Sequence, residues 1–103
     1  MNYKSPYLIE DVKETFDKIS KVGKVIVFGT GNCGAIVQAA LKEKNIKIHC
    51  LVDNNKYKWG KVIQGDEIID PKILRDTNNE IPIIIAVDLN FPYIRKQLNE
   101  MGI

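Results

Sequence analysis

Gly29, Gly31 and Gly34 stand as G-x-G-x-x-G immediately after the apolar run Lys24-Val25-Ile26-Val27-Phe28, and Asp53 closes the next apolar run. A buried strand feeding a glycine turn and then a helix sets the unpaired N–H groups of a helix N-terminus beside backbone without side chains. A pyrophosphate can approach such a surface. Asp53, about 20 residues beyond the turn, then stands where an acidic side chain meets a ribose hydroxyl. The same glycines also have a purely architectural use, Gly29 and Gly31 in a tight turn and Gly34 in close helix-to-sheet packing.

Other residues bear on the same edge. Tyr57 and Trp59 lie in the polar loop beyond Asp53, where an aromatic ring can stack on a base; Trp59 can equally pack over the sheet edge. Asp88 follows the last apolar run and either touches a ligand or caps the helix after it. Cys33 falls in the first turn of the helix after the glycines, where the dipole favours a thiolate. No histidine lies near it in sequence, so the thiol reads as a small residue fitting the turn rather than a nucleophile. His49 and Cys50 read as core residues of a buried strand. No residue is assigned a catalytic role: Asp53 and Asp88 share one sheet edge, but no second domain closes over them. Without a C-x-x-C pair or further histidines, neither a zinc site nor a disulfide scaffold is supported.

The elements that must position these residues alternate along the chain. Ser5-Pro6 opens a helix running to about Val22, with Leu8, Ile9, Val12, Phe16 and Ile19 at helical spacing. That stripe packs on the domain's own sheet or on a partner domain or second copy. Gly23 ends the helix, and Lys24 to Phe28 reads as a buried parallel strand. A helix from about Cys33 to Lys44 follows, its inward face drawn from Ala35, Ile36, Ala39, Ala40 and Leu41. After a turn at Asn45 comes a strand from Ile46 to Val52, then the loop to Lys61. Short apolar pieces at 62–63 and 67–69 around Gly65 suggest a turn and a third edge strand. Asp70-Pro71 opens a short helix ending near Asn78, Ile81 to Val87 is a strand, and a last helix runs from Asp88 to about Met101 with Gly102 as its stop. The β-α-β-(β)-α-β-α order implies a parallel sheet with helices on its faces. The expected division is an N-terminal helix over 1–22 and one α/β unit over 23–103.

With 103 residues, 45% hydrophobic and 27% charged, the chain is large enough for a single core. Its net charge of +2 comes from lysines interspersed with acids, which gives no concentrated basic face for nucleic acid. Lys42, Lys44 and Lys47 read as a solvated helix end. No run reaches the roughly 18 apolar residues of a membrane span, and the first residues lack a signal-peptide stretch. A cytoplasmic protein with two free thiols is the expectation.

Lys24 to Gly34, with Val52-Asp53-Asn54-Asn55, Lys58-Trp59-Gly60, Ile63-x-Gly65, Ile69-Asp70-Pro71 and the strand from Ile83 to Ala86, resembles the small Rossmann-like nucleotide-sugar-binding domain of bacterial glycan biosynthesis. That domain stands at the front of sugar O-acyltransferases of the sialic-acid and bacillosamine type. Related domains occur in polysaccharide-biosynthesis epimerase/dehydratases and beside some glycan-modifying methyltransferases. The resemblance covers roughly residues 24–103, and its distinctive part is the step from aspartate through Trp-Gly to x-Gly. It implies a nucleotide or nucleotide-sugar with its phosphates on the turn Gly29-Thr30-Gly31-Asn32-Cys33-Gly34 and its ribose or base at Asp53 and Asn54. The acyltransferases continue into a left-handed β-helix and the epimerases into a domain with catalytic Tyr and Lys; neither continuation is in this sequence, so the chain is expected to bind rather than catalyse alone.

The same residues bear on competing chemistries. Gly34 is followed by Ala35-Ile36 rather than Lys-Ser/Thr, which removes a P-loop. Val27 stands where common methyltransferases carry an acid, which disfavours S-adenosylmethionine. Asp53 opposes a 2′-phosphate, so NAD is preferred over NADP, with only Lys56 to compensate. Two further readings stay open beside nucleotide-sugar binding: an NAD(H)-binding oxidoreductase-type or sensing domain, and a degenerate module that mediates assembly through the N-terminal stripe.

Overall fold

The structure is a computed structural model that describes residues 17, 19–76 and 81–103. Its centre is the branched run Lys24–Phe28 (β1), buried from Val25 onward. Such a continuously apolar strand is stable only when covered on both faces. Val25 and Val27 point into one core layer with Leu41, Ile48, Leu51 and Ile68, while Ile26 and Phe28 point into a second with Leu74, Ile94 and Leu98. The result is a three-layer α/β domain of the Rossmann type.

Helix α1 (Asn32–Glu43) lies on the first face, and β2 (Lys47–Val52) runs parallel to β1. Strands β3 (Val62–Ile63) and β4 (Asp66–Ile69) form a two-residue hairpin. Gln64 and Gly65 take φ of 50° and 87°, the paired positive values a type I′ turn needs. β4 then pairs parallel with β2, and β5 (Ile83–Ile85) pairs parallel with β1. The sheet order is β3-β4-β2-β1-β5. The sheet is thus mixed rather than wholly parallel, because the hairpin adds β3 antiparallel at the edge. A 3-10 helix at Pro71–Arg75 and helix α2 (Phe91–Glu100) supply Leu74, Ile94 and Leu98 to the second face.

Several boundaries and faces differ from the sequence expectation. β5 is shorter than 81–87, although Pro82 O accepts from Ile26 N at 2.9 Å and Ala86 N donates to Phe28 O at 2.8 Å, so pairing extends one residue beyond each end. The helix opened by Asp70 is a 3-10 segment ending at Arg75, with Asp70 Oδ1 accepting from Lys72 N at 2.9 Å; its expected end near Asn78 lies outside the described residues. The inward face of α1 is Gly34, Gln38 and Leu41, while Ala35, Ile36, Ala39 and Ala40 face outward. Gln38 is buried because its Nε2 donates to Ile63 O at 2.7 Å and Asp66 Oδ2 at 2.8 Å, tying α1 to the hairpin.

His49 is exposed, contrary to its reading as a core residue. The register between β1 and β2 slips between Val25 and Ile26, whose partners are Ile48 and Cys50, so His49 is the unpaired extra residue of a bulge. Cys50 is buried as expected, and burial, with a smaller contribution from the nearby Glu67 carboxylate, pushes its thiol up to about 11. At the N-terminal end, residues 17 and 19–22 are helical and Gly23 closes that helix with φ of 79° and a 2.7 Å bond to Ile19 O. Ile19 is fully buried in the first core layer. Leu8, Ile9, Val12 and Phe16, with the Ser5-Pro6 start, lie outside the described residues.

Candidate functional site

Strand order reverses at β1, which has β2 on one side and β5 on the other, and the glycine turn leaves its C-terminal end. A crevice opens at such a switch point in parallel α/β sheets. The three glycines there have separable roles. Gly29 has φ of 117°, and a Cβ on it would lie 2.6 Å from Ala86 O and 2.9 Å from Val87 Cγ1. The segment after β5 therefore closes directly on Gly29. A Cβ on Gly34 would fall 2.1 Å from Gly29 O, so α1 can approach the turn only with glycine there. Gly31 is different. Its φ of −85° is negative and its backbone extended, so no left-handed conformation calls for glycine, and a Cβ would meet no described atom within 4 Å.

Gly31 is also the N-cap of α1. It offers no side chain to the helix's first amides, and no acidic residue stands in the first turn. A helix start without a capping acceptor keeps its partial positive charge available to an anion. Asn32 is exposed and Cys33 half-buried beside it, and Cys33 is a free thiol.

Asp53 anchors the turn to the end of β2. Its Oδ2 accepts from Thr30 N at 3.1 Å and from Thr30 Oγ1 at 2.6 Å, and its Oδ1 accepts from Asn55 N at 2.8 Å. A carboxylate has about four acceptor positions, so one remains for a further donor. Asn55 Oδ1 caps the 3-10 turn Lys56–Lys58 through Tyr57 N at 3.1 Å, and this turn carries the loop back to Thr30. Lys58 Nζ then donates to Thr30 Oγ1 at 3.2 Å and lies 3.9 Å from Asp53 Oδ2. Trp59 Nε1 donates to Asp53 O at 2.7 Å, leaving its ring part-exposed; Tyr57 is more exposed, with Lys56 Nζ 5.4 Å from its ring centroid.

Asn54 and Gln97 exchange two amide hydrogen bonds, 2.8 and 2.9 Å, bridging the end of β2 to α2. Beside them a cavity of about 360 Å³ is lined by Asn54, Trp59, Lys72, Arg75, Gln97 and Met101, with Asp70, Pro71 and Glu100. Asp88 stands exposed after β5 with its Oδ1 accepting from Leu89 N at 2.5 Å; the N-cap of α2 is Asn90, so Asp88 does not cap that helix.

The structure therefore brings the turn 29–34 together with Asp53, and Asn54 and Trp59 together at the adjoining cavity. Asp88 makes no described contact to either group. Lys58 and Gln97 went unassigned in the sequence reading. The Lys-Trp-Gly step was the available signal for Lys58, whereas nothing in the sequence pairs Asn54 with Gln97. Among the described residues, no cluster of His, Cys, Asp and Glu could hold a metal ion, and no helix is long and apolar enough to cross a membrane.

Residues 21–103 match the family model described as C2185-like, N-terminal. The chain belongs to that family. No curated protein matches it. Among solved structures, this C2185-like N-terminal domain is similar to a Rex-family repressor, RSP, at 26% identity and a TM-score of 0.61 over 89% of this chain and 50% of that one. It is similar to RSP in complex with β-NADH at 26% identity and 0.58, over 92% and 50%. UDP-D-quinovosamine 4-dehydrogenase from Vibrio fischeri shares the fold at 21% identity and 0.57, over 78% and 72%. The chain thus spans about half the length of RSP.

Proposed function

We propose that this chain binds a nucleotide, held by its phosphates on the turn from Gly29 to Gly34 and by its ribose at Asp53. The observation that carries the reading is Gly31. Gly29 and Gly34 are required by backbone conformation and packing, but nothing in the fold asks for glycine at 31. A bare Cα at an uncapped helix start is what a phosphate needs for close approach. Asp53 keeps one acceptor position for a hydroxyl while locking Thr30. Asn32 and Cys33 sit at the phosphates, Asn54 and Trp59 at the ribose or base, and Asp88 at the rim of the same sheet edge. The pattern from Asp53 through Trp59-Gly60 to Gly65 resembles that of nucleotide-sugar-binding domains of glycan-biosynthesis proteins, and that resemblance favours a nucleotide-sugar as the ligand, with catalysis outside this domain.

The second reading, NAD(H), is supported by the similarity to RSP, whose complex contains β-NADH. A UDP-sugar and NADH share the diphosphate and differ in base and distal group, so the same turn serves either. A thermal-shift panel of UDP-sugars, NAD, NADH, NADP, coenzyme A and S-adenosylmethionine separates the readings, because a ligand that binds only the folded state raises the melting temperature. Stabilisation by UDP-sugars supports the first reading and stabilisation by NAD or NADH the second. A flat panel overturns both and favours an assembly module.

A further inference from the structure

Lys58, from the loop beyond β2, reaches the glycine turn. Its ammonium is brought back onto the turn by the Asn55-capped 3-10 segment and bonds Thr30 Oγ1 at 3.2 Å. Thr30 Oγ1 in turn gives its proton to Asp53 at 2.6 Å. The three groups form a relay in which each fixes the next, with Thr30 one residue before the N-cap of α1. An ammonium has three donors, and among the described residues Thr30 takes one. Asp53 lies 3.9 Å away, so it balances the charge without consuming a close hydrogen bond. The side chain is part-exposed, which leaves the remaining donors open to solvent or ligand.

Resting on the nucleotide reading, we infer that Lys58 is a phosphate-contacting, specificity-determining residue, which makes the site select ligands with a diphosphate over nucleosides lacking one. The uncapped amides of α1 and the Lys58 ammonium, held at Thr30 one residue before the N-cap, meet the diphosphate together. Lysine suits this as a point charge with rotatable donors, and Asp53 and Thr30 hold it in place before ligand arrives. Asp53 thereby has a second role beside the ribose, as the counter-charge that orients Lys58.

The test is calorimetric titration of wild type, Lys58→Met and Lys58→Arg with UDP, uridine, NADH and NADPH. Lys58→Met is expected to bind UDP or NADH about 10- to 100-fold more weakly, the loss of a charge-assisted hydrogen bond, with Lys58→Arg recovering most of it. Uridine, lacking phosphate, should bind the wild type and Lys58→Met equally weakly. Lys58→Met binding UDP and NADH within twofold of wild type overturns the inference and leaves the nucleotide reading standing. A loss confined to NADPH overturns it too, because the cation would then serve a 2′-phosphate. Failure of the wild type to bind any of the four overturns the nucleotide reading and this inference together. Melting temperatures of the variants identify a loss that comes from the fold: Lys58→Met melting well below wild type, with Lys58→Arg failing to restore binding, counts against a direct contact.

Discussion

Two glycines three residues apart make opposite demands on the chain. Gly34→Ala places a Cβ 2.1 Å from Gly29 O, so helix and turn must separate; we expect a loss of several kcal/mol, of the order seen for severe core overpacking, read as a large fall in melting temperature. Gly31→Val meets no described atom and sits at a negative φ, so its melting temperature should stay within a few degrees of wild type. The motif as such was legible in the sequence, but this division of labour was not, because it depends on which backbone comes close to which Cα. The cysteines offer a second contrast. Cys33 is half-buried and Cys50 buried in the second core layer, so iodoacetamide should label Cys33 in the folded protein and Cys50 only after denaturation, as mass spectrometry of the labelled peptides would reveal. Because folding lifts the Cys50 thiol from 9.0 to about 11, the unfolded chain loses that proton first. The stability it contributes is complete below about pH 9 and lost as pH rises toward 11. Melting curves across that range should fall more steeply for wild type than for Cys50→Ala; parallel curves would contradict the assignment.

At the scale of elements, apolar runs announced β1 and β2, and turn residues announced the hairpin, yet of the face expected to pack inward on α1 only Leu41 is buried. Hydrophobic periodicity favoured Ala35, Ile36 and Ala39, whereas the helix turns Gln38 inward to hold the carbonyl of Ile63 and the carboxylate of Asp66. A buried amide is invisible to a rule that counts apolar residues. The expected outcome for Gln38→Leu is a loss of about 1–3 kcal/mol, since the part-buried carbonyl of Ile63 loses its partner and Asp66 is left with Lys42 at 3.0 Å. Amide exchange should quicken in β3 and β4 ahead of β1; uniform protection would show that the hairpin stands without the clamp. His49 was misread for a related reason. A bulge is a property of two strands' register, and no single strand's sequence discloses it.

For the whole molecule, the α/β order along the chain was enough to infer layers and a crevice at the C-terminal end of the strands, and the fold agrees with Rossmann-type structures. What the order could not give was the loop geometry that folds Lys58 onto Thr30 and pairs Asn54 with Gln97 across the sheet edge. Those contacts link residues far apart in the chain. If the assembled edge is a nucleotide site, Asp53→Ala should weaken binding by roughly 1.5–3 kcal/mol, the worth of a hydrogen bond to a charged group, because it removes the ribose acceptor and frees Thr30 and Lys58 together; calorimetry showing wild-type affinity would move the ribose elsewhere. The most direct measurement is a side-by-side titration of wild type and Gly31→Val with a UDP-hexose and with NADH. The wild type should bind one of them, and Gly31→Val, still folded, should lose that binding by at least about tenfold, as expected when a side chain blocks the phosphate approach. Equal affinity in the two proteins would contradict it, since a ligand indifferent to a valine at 31 does not lie on the glycine turn.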